Sequence, residues 1–444
     1  MTHLPRYGPL FVDLYELTMA AGYFDHQIRD EAAFSLFVRN YPADRNFFIA
    51  AGLADVLAEL DHFRFSEADL AYLESTGQFS SQFLSYLQDF RFTGEIRAMP
   101  EGTVFFRDEP VIEVRAPLIQ AQLLETLLLN IIGFQSLIAT KAARCIHAAG
   151  GRALIDFSAR RTQSAEASLK VARSSCLAGF AGTSNVLAGR LYSIPVSGTM
   201  AHSFVTAFDS EIEAFRAFVA SYPRNSVLLI DTYDTIQGAR NAVQVAKEMA
   251  ERGERMIGVR LDSGDMVDLS RRVRKIFDEA GLPEVKIFAS SGFDEHKIAR
   301  VLEAGACIDA FGVGTRMGVS ADAPYFDIVY KMVHFRGRNI RKLSTGKANL
   351  AGEKQVFRRS DGQGRCVEDV IGLKQEPGPE NTEALLETVM EDGVRQIPDP
   401  ELTEIRSRVE RNLECLPERC KDLQDAAGYP VSISRRLQSA QQAH

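Results

Sequence analysis

The sequence predicts an α/β protein built on parallel strands, and three observations lead to this fold class. Short runs of apolar and β-branched residues recur between about residues 150 and 335, as buried strands do. Successive runs that start at 227, 256, 285 and 308 are 29, 29 and 23 residues apart, which leaves room for a strand, a helix and two loops. A polar, glycine-rich cluster follows each run. This pattern fits an open doubly wound sheet or a closed barrel.

The predicted strands share an apolar, β-branched composition. They are RALIDF from Arg152, SIPVSG from Ser193, SVLLID from Ser226, MIGVRLD from Met256, VKIFAS from Val285 and IDAFGVG from Ile308.

Three of the segments between these runs carry the end signals of helices. ARNAVQVAKEMAERG, MVDLSRRVRKIFDEAG and DEHKIARVLEAG end at Gly253, Gly281 and Gly305, because glycine adopts the left-handed conformation that closes a helix. Asp294 and Ser210 precede helical segments and are predicted N-caps. Helices therefore alternate with the strands.

Composition excludes several function classes. The net charge of −8 argues against an extended nucleic-acid or acidic-lipid surface, and we expect neither kind of partner. The start MTHLPRYGPLFVDLY lacks the layout of a signal peptide. The most apolar segment, LLETLLLNIIGFQSLIA from Leu123, is interrupted by Glu125, Asn130 and Gln135. We interpret it as a buried helix rather than a membrane span.

The cysteines indicate a cytoplasmic protein. Six cysteines, at 145, 176, 307, 366, 415 and 420, are too sparse for a disulfide scaffold and fit a reducing compartment. The pair in CLPERC has no second close pair and no histidine partner, so the sequence favours structural cysteines over a zinc site.

The polar clusters predict a ligand site. In an open sheet or a barrel, the C-terminal ends of parallel strands line the ligand crevice, so these clusters are expected to converge. They are SARRTQS after Phe157, GTMAHS after Val196, DTYDT after Ile230, RLDSGD after Val259, SSGFDE after Ala289 and GVGTRMG after Phe311.

Residue types in these clusters indicate a phosphorylated ligand. Arg160, Arg161 and Arg260 offer guanidinium groups that bind phosphates with two hydrogen bonds, and glycine-rich turns expose backbone N–H groups. Carboxylates that are candidates for Mg²⁺ on a di- or triphosphate are Asp231, Asp234, Asp262 and Asp265.

His202 stands among small and apolar residues in SGTMAHSFVTAF, directly after the run YSIPV. A histidine in such a place is either a packed residue with hydrogen-bonded ring nitrogens or a reactive group at the predicted rim. Its residue type alone leaves both interpretations open.

Eight segments between about residues 8 and 360 together form a distinctive pattern. They are GPLFVDLYELTMAAGYF, AQLLETLLLNIIGFQSLIATKAAR, GFAGTSNVLAG, SGTMAHSF, LLIDTYDT, GVRLDSGD, AFGVGTRMGVSADAP and KLSTGKANLAGEKQVFR. In sequence, order and spacing these segments closely resemble nicotinate phosphoribosyltransferases, and together they are far more specific than any one of them.

The resemblance implies an irregular (β/α) barrel packed against an α+β domain built from both chain termini, in a homodimer with shared active sites. We expect the α+β domain at 1–130 and 335–400, the barrel with the active site at 131–334 and a helical tail at 401–444. The implied reaction joins nicotinate to phosphoribosyl pyrophosphate (PRPP), giving nicotinate mononucleotide and pyrophosphate. Mg²⁺ is the implied cofactor, and ATP is the implied co-substrate whose hydrolysis is coupled.

The resemblance also implies roles for matching residues. His202, Arg260 and Asp262 are implied to be catalytic, with His202 phosphorylated by ATP and Asp262 and Asp265 as possible Mg²⁺ contacts. Phe157 and Tyr15 look like the two faces of a pyridine sandwich, with Tyr15 contributed by the partner subunit. The other implied substrate-binding residues are Arg160, Arg161, Thr183, Ser184, Asp231, Ser263, Gly264, Gly292, Gly312, Gly314 and Thr315.

Ser184 favours the acid over the amide as substrate. The related nicotinamide enzyme carries an aspartate at this position, and a carboxylate there would repel nicotinate, whereas serine does not. The alternatives are a nicotinamide phosphoribosyltransferase and a catalytically inactive PRPP-binding relative. A classical ribonucleotide-salvage enzyme is disfavoured because Asp231 and Asp234 in VLLIDTYDTIQG are not adjacent. A Schiff-base aldolase is disfavoured because no strand end listed above carries a lysine.

Overall fold

Six parallel strands form one sheet of the protein and confirm the predicted α/β fold class. The computed structural model describes residues 7–42, 44–342, 349–424 and 428–442. Within them the chain divides into two units. The first comprises residues up to Thr140 and from Ala323 onward, and the second is Lys141–Asp322.

The strands, in chain order, are β1 (Glu31–Val38), β2 (Phe48–Ile49), β3 (Glu95–Ala98), β4 (Val104–Phe105), β5 (Pro110–Pro117), β6 (Ala153–Asp156), β7 (Gly182–Thr183), β8 (Val227–Leu229), β9 (Gly258–Leu261), β10 (Lys286–Ala289), β11 (Ala310–Val313), β12 (Ile328–Phe335), β13 (Arg338–Asn339), β14 (Lys354–Ser360), β15 (Cys366–Leu373), β16 (Thr382–Ala384), β17 (Glu387–Glu391), β18 (Val394–Arg395) and β19 (Val431–Ile433).

The α-helices, in chain order, are α1 (Leu14–Asp25), α2 (Leu53–Leu60), α3 (Glu67–Ser75), α4 (Ser81–Gln88), α5 (Leu118–Gln122), α6 (Glu125–Ala149), α7 (Ala165–Leu177), α8 (Val186–Tyr192), α9 (His202–Val205), α10 (Glu211–Ser221), α11 (Thr235–Glu251), α12 (Met266–Glu279), α13 (Glu295–Glu303), α14 (Thr315–Gly318), α15 (Leu402–Cys415), α16 (Glu418–Lys421) and α17 (Arg435–Gln442). Two 3₁₀ turns lie at Gly8–Leu10 and Pro223–Asn225.

The second unit is an open half-barrel. Its sheet has the order β7-β6-β11-β10-β9-β8, and α11, α12 and α13 connect β8, β9, β10 and β11 in turn. Leu154, Val259, Ile287 and Phe311 are fully buried strand residues. This repeat agrees with the spacing seen in the sequence, and it brings the strand ends to one edge.

One predicted strand is wrong. SIPVSG forms no strand, and only Val196 makes a single parallel bridge, to Thr183. Strand β7, Gly182–Thr183, takes its place at the sheet edge. Pro195 explains the difference, because it has no N–H to donate and supplies only its carbonyl, to the N–H of Thr183 at 3.0 Å.

The helix ends follow the predicted signals. The side chains of Asp294 and Ser210 accept hydrogen bonds from the N–H groups of Lys297 and Glu213, so both are N-caps. Helices α11, α12 and α13 end just before Gly253, Gly281 and Gly305, whose φ angles are +75°, +76° and +79°. Those left-handed conformations suit glycine and close the helices.

The first unit is built from both ends of the chain. A seven-stranded sheet has the order β13-β12-β1-β5-β3-β17-β18, and a four-stranded sheet has the order β16-β14-β15-β19. Phe34 on β1 stacks on Tyr330 of β12, with ring centroids 4.8 Å apart, in the buried core of this unit. The units meet along the chain at 140/141 and 322/323, whereas we predicted boundaries at 130/131 and 334/335.

Two features bear on the sequence interpretation. Leu118–Ala149 is, by length and composition, long and apolar enough to cross a membrane, but 67% of its most apolar window is buried inside the protein. That burial agrees with the predicted core helix. Cys366 of β15 and Cys415 of α15 form a disulfide, with Cα atoms 5.2 Å apart. Cys415 of the CLPERC pair is thus bonded to the sheet strand.

Candidate active site

A pocket of about 740 Å³ opens at the C-terminal ends of the half-barrel strands. Ten residues that the sequence analysis assigned to the site line it. They are Phe157, Arg160, Arg161, Ser184, Arg260, Asp262, Gly292, Gly312, Gly314 and Thr315. The predicted convergence of the polar clusters is therefore present in the second unit.

Phe157 forms an aromatic wall of the pocket because its neighbour on β11 is a glycine. A Cβ atom added to Gly312 would lie 2.5 Å from ring atoms Cδ2 and Cε2 of Phe157, so no larger residue fits beneath the ring. The backbone N–H of Phe157 donates to the carbonyl oxygen of Val313 at 2.8 Å, which fixes the start of its loop. The Cδ2–Cε2 edge of the ring thus lies against the strand.

Arg260 at the end of β9 supplies a desolvated positive charge. Its Nη2 donates to the carbonyl oxygen of Met200 at 2.8 Å, while its buried Nε has no hydrogen-bond partner among the described residues. Burial lowers the pKa of the guanidinium, and the nearby Asp262 and Asp231 oppose this effect. An arginine stays charged even so, and it is well suited to receive an anion.

Asp262 is held in place by a network of hydrogen bonds. The hydroxyl of Ser290 donates to Asp262 Oδ1. Asp231 Oδ2 accepts from the N–H of Asp262 at 2.9 Å and from the hydroxyl of Ser263 at 2.6 Å. Asp231 and Ser263, which we predicted to bind substrate, therefore support the loop that presents Asp262 and are not among the pocket-lining residues.

The donor set fits a hard divalent cation. Asp231 Oδ1 is a buried carboxylate oxygen with no hydrogen-bond partner in the described part of the chain, and the side chain of Asp262 is 39% exposed. Carboxylate oxygens and water are the ligands Mg²⁺ prefers. Asp265 has another role: its Oδ1 accepts from the N–H groups of Val267 and Asp268 as the N-cap of α12.

His202 begins α9 at the rim of the pocket. Its Nδ1 lies 3.1 Å from Thr232 Oγ1, and its Nε2 lies 3.9 Å from Asp262 Oδ2. The side chain is 45% exposed, so the packed interpretation of this histidine is wrong. An accessible imidazole beside a pocket-lining carboxylate is placed to react with a bound ligand.

Three more predicted residues are not among those that line this pocket. Thr183 is fully buried and donates to Asp156 Oδ2 at 2.7 Å, so its hydroxyl faces a carboxylate and not the pocket. Gly264 has a φ of +85° in the turn before α12. Tyr15 lies on α1 of the first unit and is 46% exposed, and burial of its hydroxyl together with Glu125 and Glu16 raises its pKa.

The sequence analysis missed six lining residues. They are Gly198, Thr199, Met200, Ala201, Ser290 and Ser291. All lie in the clusters GTMAHS and SSGFDE, so their position in a predicted strand-end cluster could have identified them as pocket residues. Nothing in the sequence distinguished Thr232, which pairs with His202, from its neighbours in DTYDT.

Comparison with known proteins decides the family. The N-terminal domain of nicotinate phosphoribosyltransferase (NAPRTase) matches residues 10–133, the NAPRTase family model matches 152–357, and its C-terminal domain matches 378–441. The chain belongs to the nicotinate phosphoribosyltransferase family. Of the segments that carried the resemblance, only part of KLSTGKANLAGEKQVFR, residues 343–348, lies outside the described residues.

Relatives across this family cover nearly the whole chain. Nicotinate phosphoribosyltransferase pncB2 of Mycobacterium tuberculosis is 48% identical over 433 residues, covering 97% of this chain and 92% of the relative. The Bacillus subtilis nicotinate phosphoribosyltransferase is 38% identical over 455 residues, covering 96% and 92%. The crystal structure of the human enzyme superposes with a TM-score of 0.87 at 31% identity, covering 97% of this chain and 99% of that one.

Proposed function

We propose that this chain joins nicotinate to PRPP in NAD salvage, releasing nicotinate mononucleotide and pyrophosphate, and that it couples ATP hydrolysis to this reaction through a phosphohistidine at His202. The observation that carries the proposal is the convergence of Phe157, Arg260 and Asp262 in one pocket with His202 at its rim. Each of them has a distinct part in the chemistry.

The pyridine ring binds against Phe157. An aromatic face gives a flat ligand orientation and apolar contact, and the exposed guanidinium groups of Arg160 and Arg161 beside it suit the carboxylate of nicotinate. Ser184 adds no negative charge to this wall. The acid is therefore the favoured substrate over the amide.

PRPP binds where the strands β9, β10 and β11 end. Gly292, Gly312 and Gly314 line the pocket without side chains, and Thr315 opens α14 beside them. Such glycine-rich turns and cationic groups bind phosphates. Asp262 is placed for the ribose, and Arg260 for the departing pyrophosphate.

The carbon–nitrogen bond needs orientation more than a general base. The ring nitrogen of nicotinate has a free lone pair that attacks C1 of the ribose, and the bond from C1 to the pyrophosphate oxygen breaks with its electron pair. Asp262 and Asp231 are the residues that would hold Mg²⁺, which neutralises charge on the leaving pyrophosphate when bound. Arg260 adds a fixed positive charge in a site that is already desolvated.

His202 is the acceptor for ATP. A neutral imidazole is a competent nucleophile at physiological pH. A ring nitrogen attacks the γ-phosphorus of ATP, the bond to the bridging oxygen breaks and ADP leaves. Water later attacks that phosphorus, the phosphorus–nitrogen bond breaks, and inorganic phosphate leaves the free imidazole behind. With Asp262 as the neighbour of both His202 and the pocket, this cycle is coupled to PRPP binding and product formation.

A homodimer with shared active sites completes the proposal. Leu14, Tyr15 and Met19 on α1 expose 52%, 46% and 37% of their surface, which is unusual for large apolar residues on one helix. Tyr15 of the partner subunit is then the second face of the pyridine sandwich. We place the enzyme in the cytoplasm, which agrees with four of the six cysteines lying outside disulfides, although the Cys366–Cys415 disulfide is unusual in a reducing compartment.

The deciding experiment measures nicotinate mononucleotide from PRPP with and without ATP·Mg²⁺, with nicotinamide in parallel. We expect product from nicotinate only, in greater yield with ATP. Preference for nicotinamide would identify the amide-using enzyme instead. Binding of PRPP without product from either base would identify an inactive relative.

A labelling experiment tests the phosphohistidine. We expect radioactive γ-phosphate from ATP to label the wild-type protein and His296→Asn but not His202→Asn. The Nε2 atom of His296 lies 3.9 Å from Glu295, which does not line the pocket, whereas that of His202 lies 3.9 Å from the lining residue Asp262. A labelled His202→Asn protein whose turnover ATP still stimulates shows that another residue accepts the phosphoryl group.

A further inference from the structure

Asp156 ends β6 with a carboxylate that is fully buried. Its Oδ1 accepts from the N–H of Ser158 at 2.9 Å, and its Oδ2 accepts from the hydroxyl of Thr183 at 2.7 Å. Burial raises the pKa of this carboxyl, against the effect of these hydrogen bonds. Asp156 is not among the pocket-lining residues, so it acts on a ligand only through its neighbours.

Those neighbours support two different walls of the pocket, one with Phe157 and Arg161 and one with Ser184. On one side, Asp156 fixes Ser158, whose carbonyl oxygen accepts from the N–H of Arg161 at 2.7 Å and so shapes the turn that follows Phe157. On the other side, the carbonyl oxygen of Asp156 accepts from the N–H of Ser184 at 2.8 Å.

Thr183 extends the same connection. Its hydroxyl oxygen accepts a hydrogen bond from the N–H of Asn185 at 3.0 Å, while the hydroxyl hydrogen is donated to Asp156. The side chain of Asn185 in turn accepts from the N–H of Ala188 as the N-cap of α8. The buried hydroxyl therefore links the end of β6 to the turn that carries Ser184.

We infer that Asp156 and Thr183 are positioning residues for the pyridine subsite, which hold the Phe157–Arg161 loop and Ser184 at a fixed separation. The inference rests on the proposed function, because it assigns these two walls to nicotinate. A binding site must keep its groups within about 0.5 Å of the productive geometry, and buried hydrogen bonds behind the wall provide that constraint. The loops at β9 and β10 are outside this network.

Thr183→Val tests the inference, because it keeps the shape of the side chain and removes the hydroxyl. We expect the KM for nicotinate to rise roughly ten-fold, while kcat and the KM for PRPP change less than about two-fold. Thr183→Ser keeps the hydroxyl and is expected to restore the KM for nicotinate. A merely structural role would not separate the two substrates in this way.

Two further variants make the test robust. Asp156→Asn keeps the volume and is expected to raise the KM for nicotinate in the same direction, so it decides the matter where Thr183→Val does not fold. Ser270→Ala is the matched control, because it removes another fully buried hydroxyl, which accepts from the N–H of Cys307 at 3.0 Å in the same unit. We expect it to leave both KM values unchanged.

The outcomes separate this inference from the proposed function. A wild-type enzyme that does not use nicotinate overturns both. An active wild type with unchanged nicotinate KM in Thr183→Val and Asp156→Asn overturns only the positioning role. Equal rises in KM for both substrates, or no rescue by Thr183→Ser, overturn it as well.

Discussion

Arg260 donates from Nη2 to the backbone carbonyl oxygen of Met200, at 2.8 Å. This bond ties the end of β9 to the segment that leads into His202, and both partners line the pocket. One guanidinium thus holds a wall of the site with one nitrogen and leaves another for an anion. A lysine, whose single ammonium sits on a flexible side chain, cannot make both contacts.

Arg260→Lys therefore keeps the positive charge but removes the planar guanidinium that contacts Met200 and an anion at the same time. We expect kcat/KM for PRPP to fall by about two orders of magnitude, because the ammonium cannot contact Met200 and the anion together. Arg271→Lys is the matched control, since Arg271 also donates to a backbone carbonyl, that of Gly305 at 3.0 Å, away from the pocket lining. Steady-state kinetics compare the two. Equal losses in both variants would contradict the role of Arg260.

Gly312→Ala disturbs the aromatic wall. The new methyl group would lie 2.5 Å from the ring of Phe157, so the ring is displaced from the strand. We expect the KM for nicotinate to rise by about ten-fold or more, since small misplacements of a positioning group are costly. Gly362→Ala, where an added Cβ meets nothing within 4 Å, serves as the control. Nicotinate binding that is unchanged in Gly312→Ala would show that the ring does not contact this substrate.

Lys141→Met leaves two acids without their ammonium. Lys141 Nζ lies 2.6 Å from Glu295 Oε2 and 2.6 Å from Asp322 Oδ1, and its side chain is 1% exposed. Glu295 still pairs with Arg144 at 2.9 Å and Asp322 is partly exposed, so we expect the free energy of unfolding to fall by about 1–3 kcal/mol. Urea denaturation measures this. In Arg272→Met, which breaks an exposed pair with Asp268, we expect a change below about 0.5 kcal/mol.

Glu16 gives the first unit a pH-dependent stability. Burial raises the pKa of this carboxyl to about 7, above the ordinary value of 4.5. Because the folded pKa exceeds the unfolded one, the stabilising contribution is complete below the unfolded pKa and is lost as the pH rises through about 7.

Glu16→Gln tests this directly. Thr126 donates to Glu16 Oε1 at 2.5 Å, an interaction that glutamine retains. Denaturation series from about pH 5 to about pH 8 are expected to show a declining free energy of unfolding in the wild type and a flatter profile in the variant. Parallel slopes in the two proteins would exclude Glu16 as the source.

Strand ends were predictable from the sequence because a buried strand and its polar end leave a local pattern. Arg260 and Gly312 were placed at the pocket for that reason, whereas Phe157 was assigned to it through the family resemblance. The direction of a side chain leaves no such pattern. Thr183 follows a glycine at the end of a short strand. The sequence there would be the same whether the Thr183 hydroxyl faced a ligand or, as in this structure, Asp156.

Pairings between distant segments were equally invisible. The disulfide of Cys366 with Cys415 joins residues 49 apart, and the sequence drew attention to Cys415 and Cys420 instead. Strand β7, and not SIPVSG, forms the edge of the six-stranded sheet. This outcome depends on where Pro195 lies beside Thr183, which only the folded chain defines.

The pairing of β1 with β12 has a consequence for synthesis on the ribosome. Residues 31–38 pair with residues 328–335, so a nascent chain must keep one side of its first strand open until the partner emerges, closing a loop of roughly 300 residues. The half-barrel lies between them and contains only its own strands. During translation, the half-barrel in the middle of the chain can therefore fold before the N-terminal strand β1 has met its partner β12.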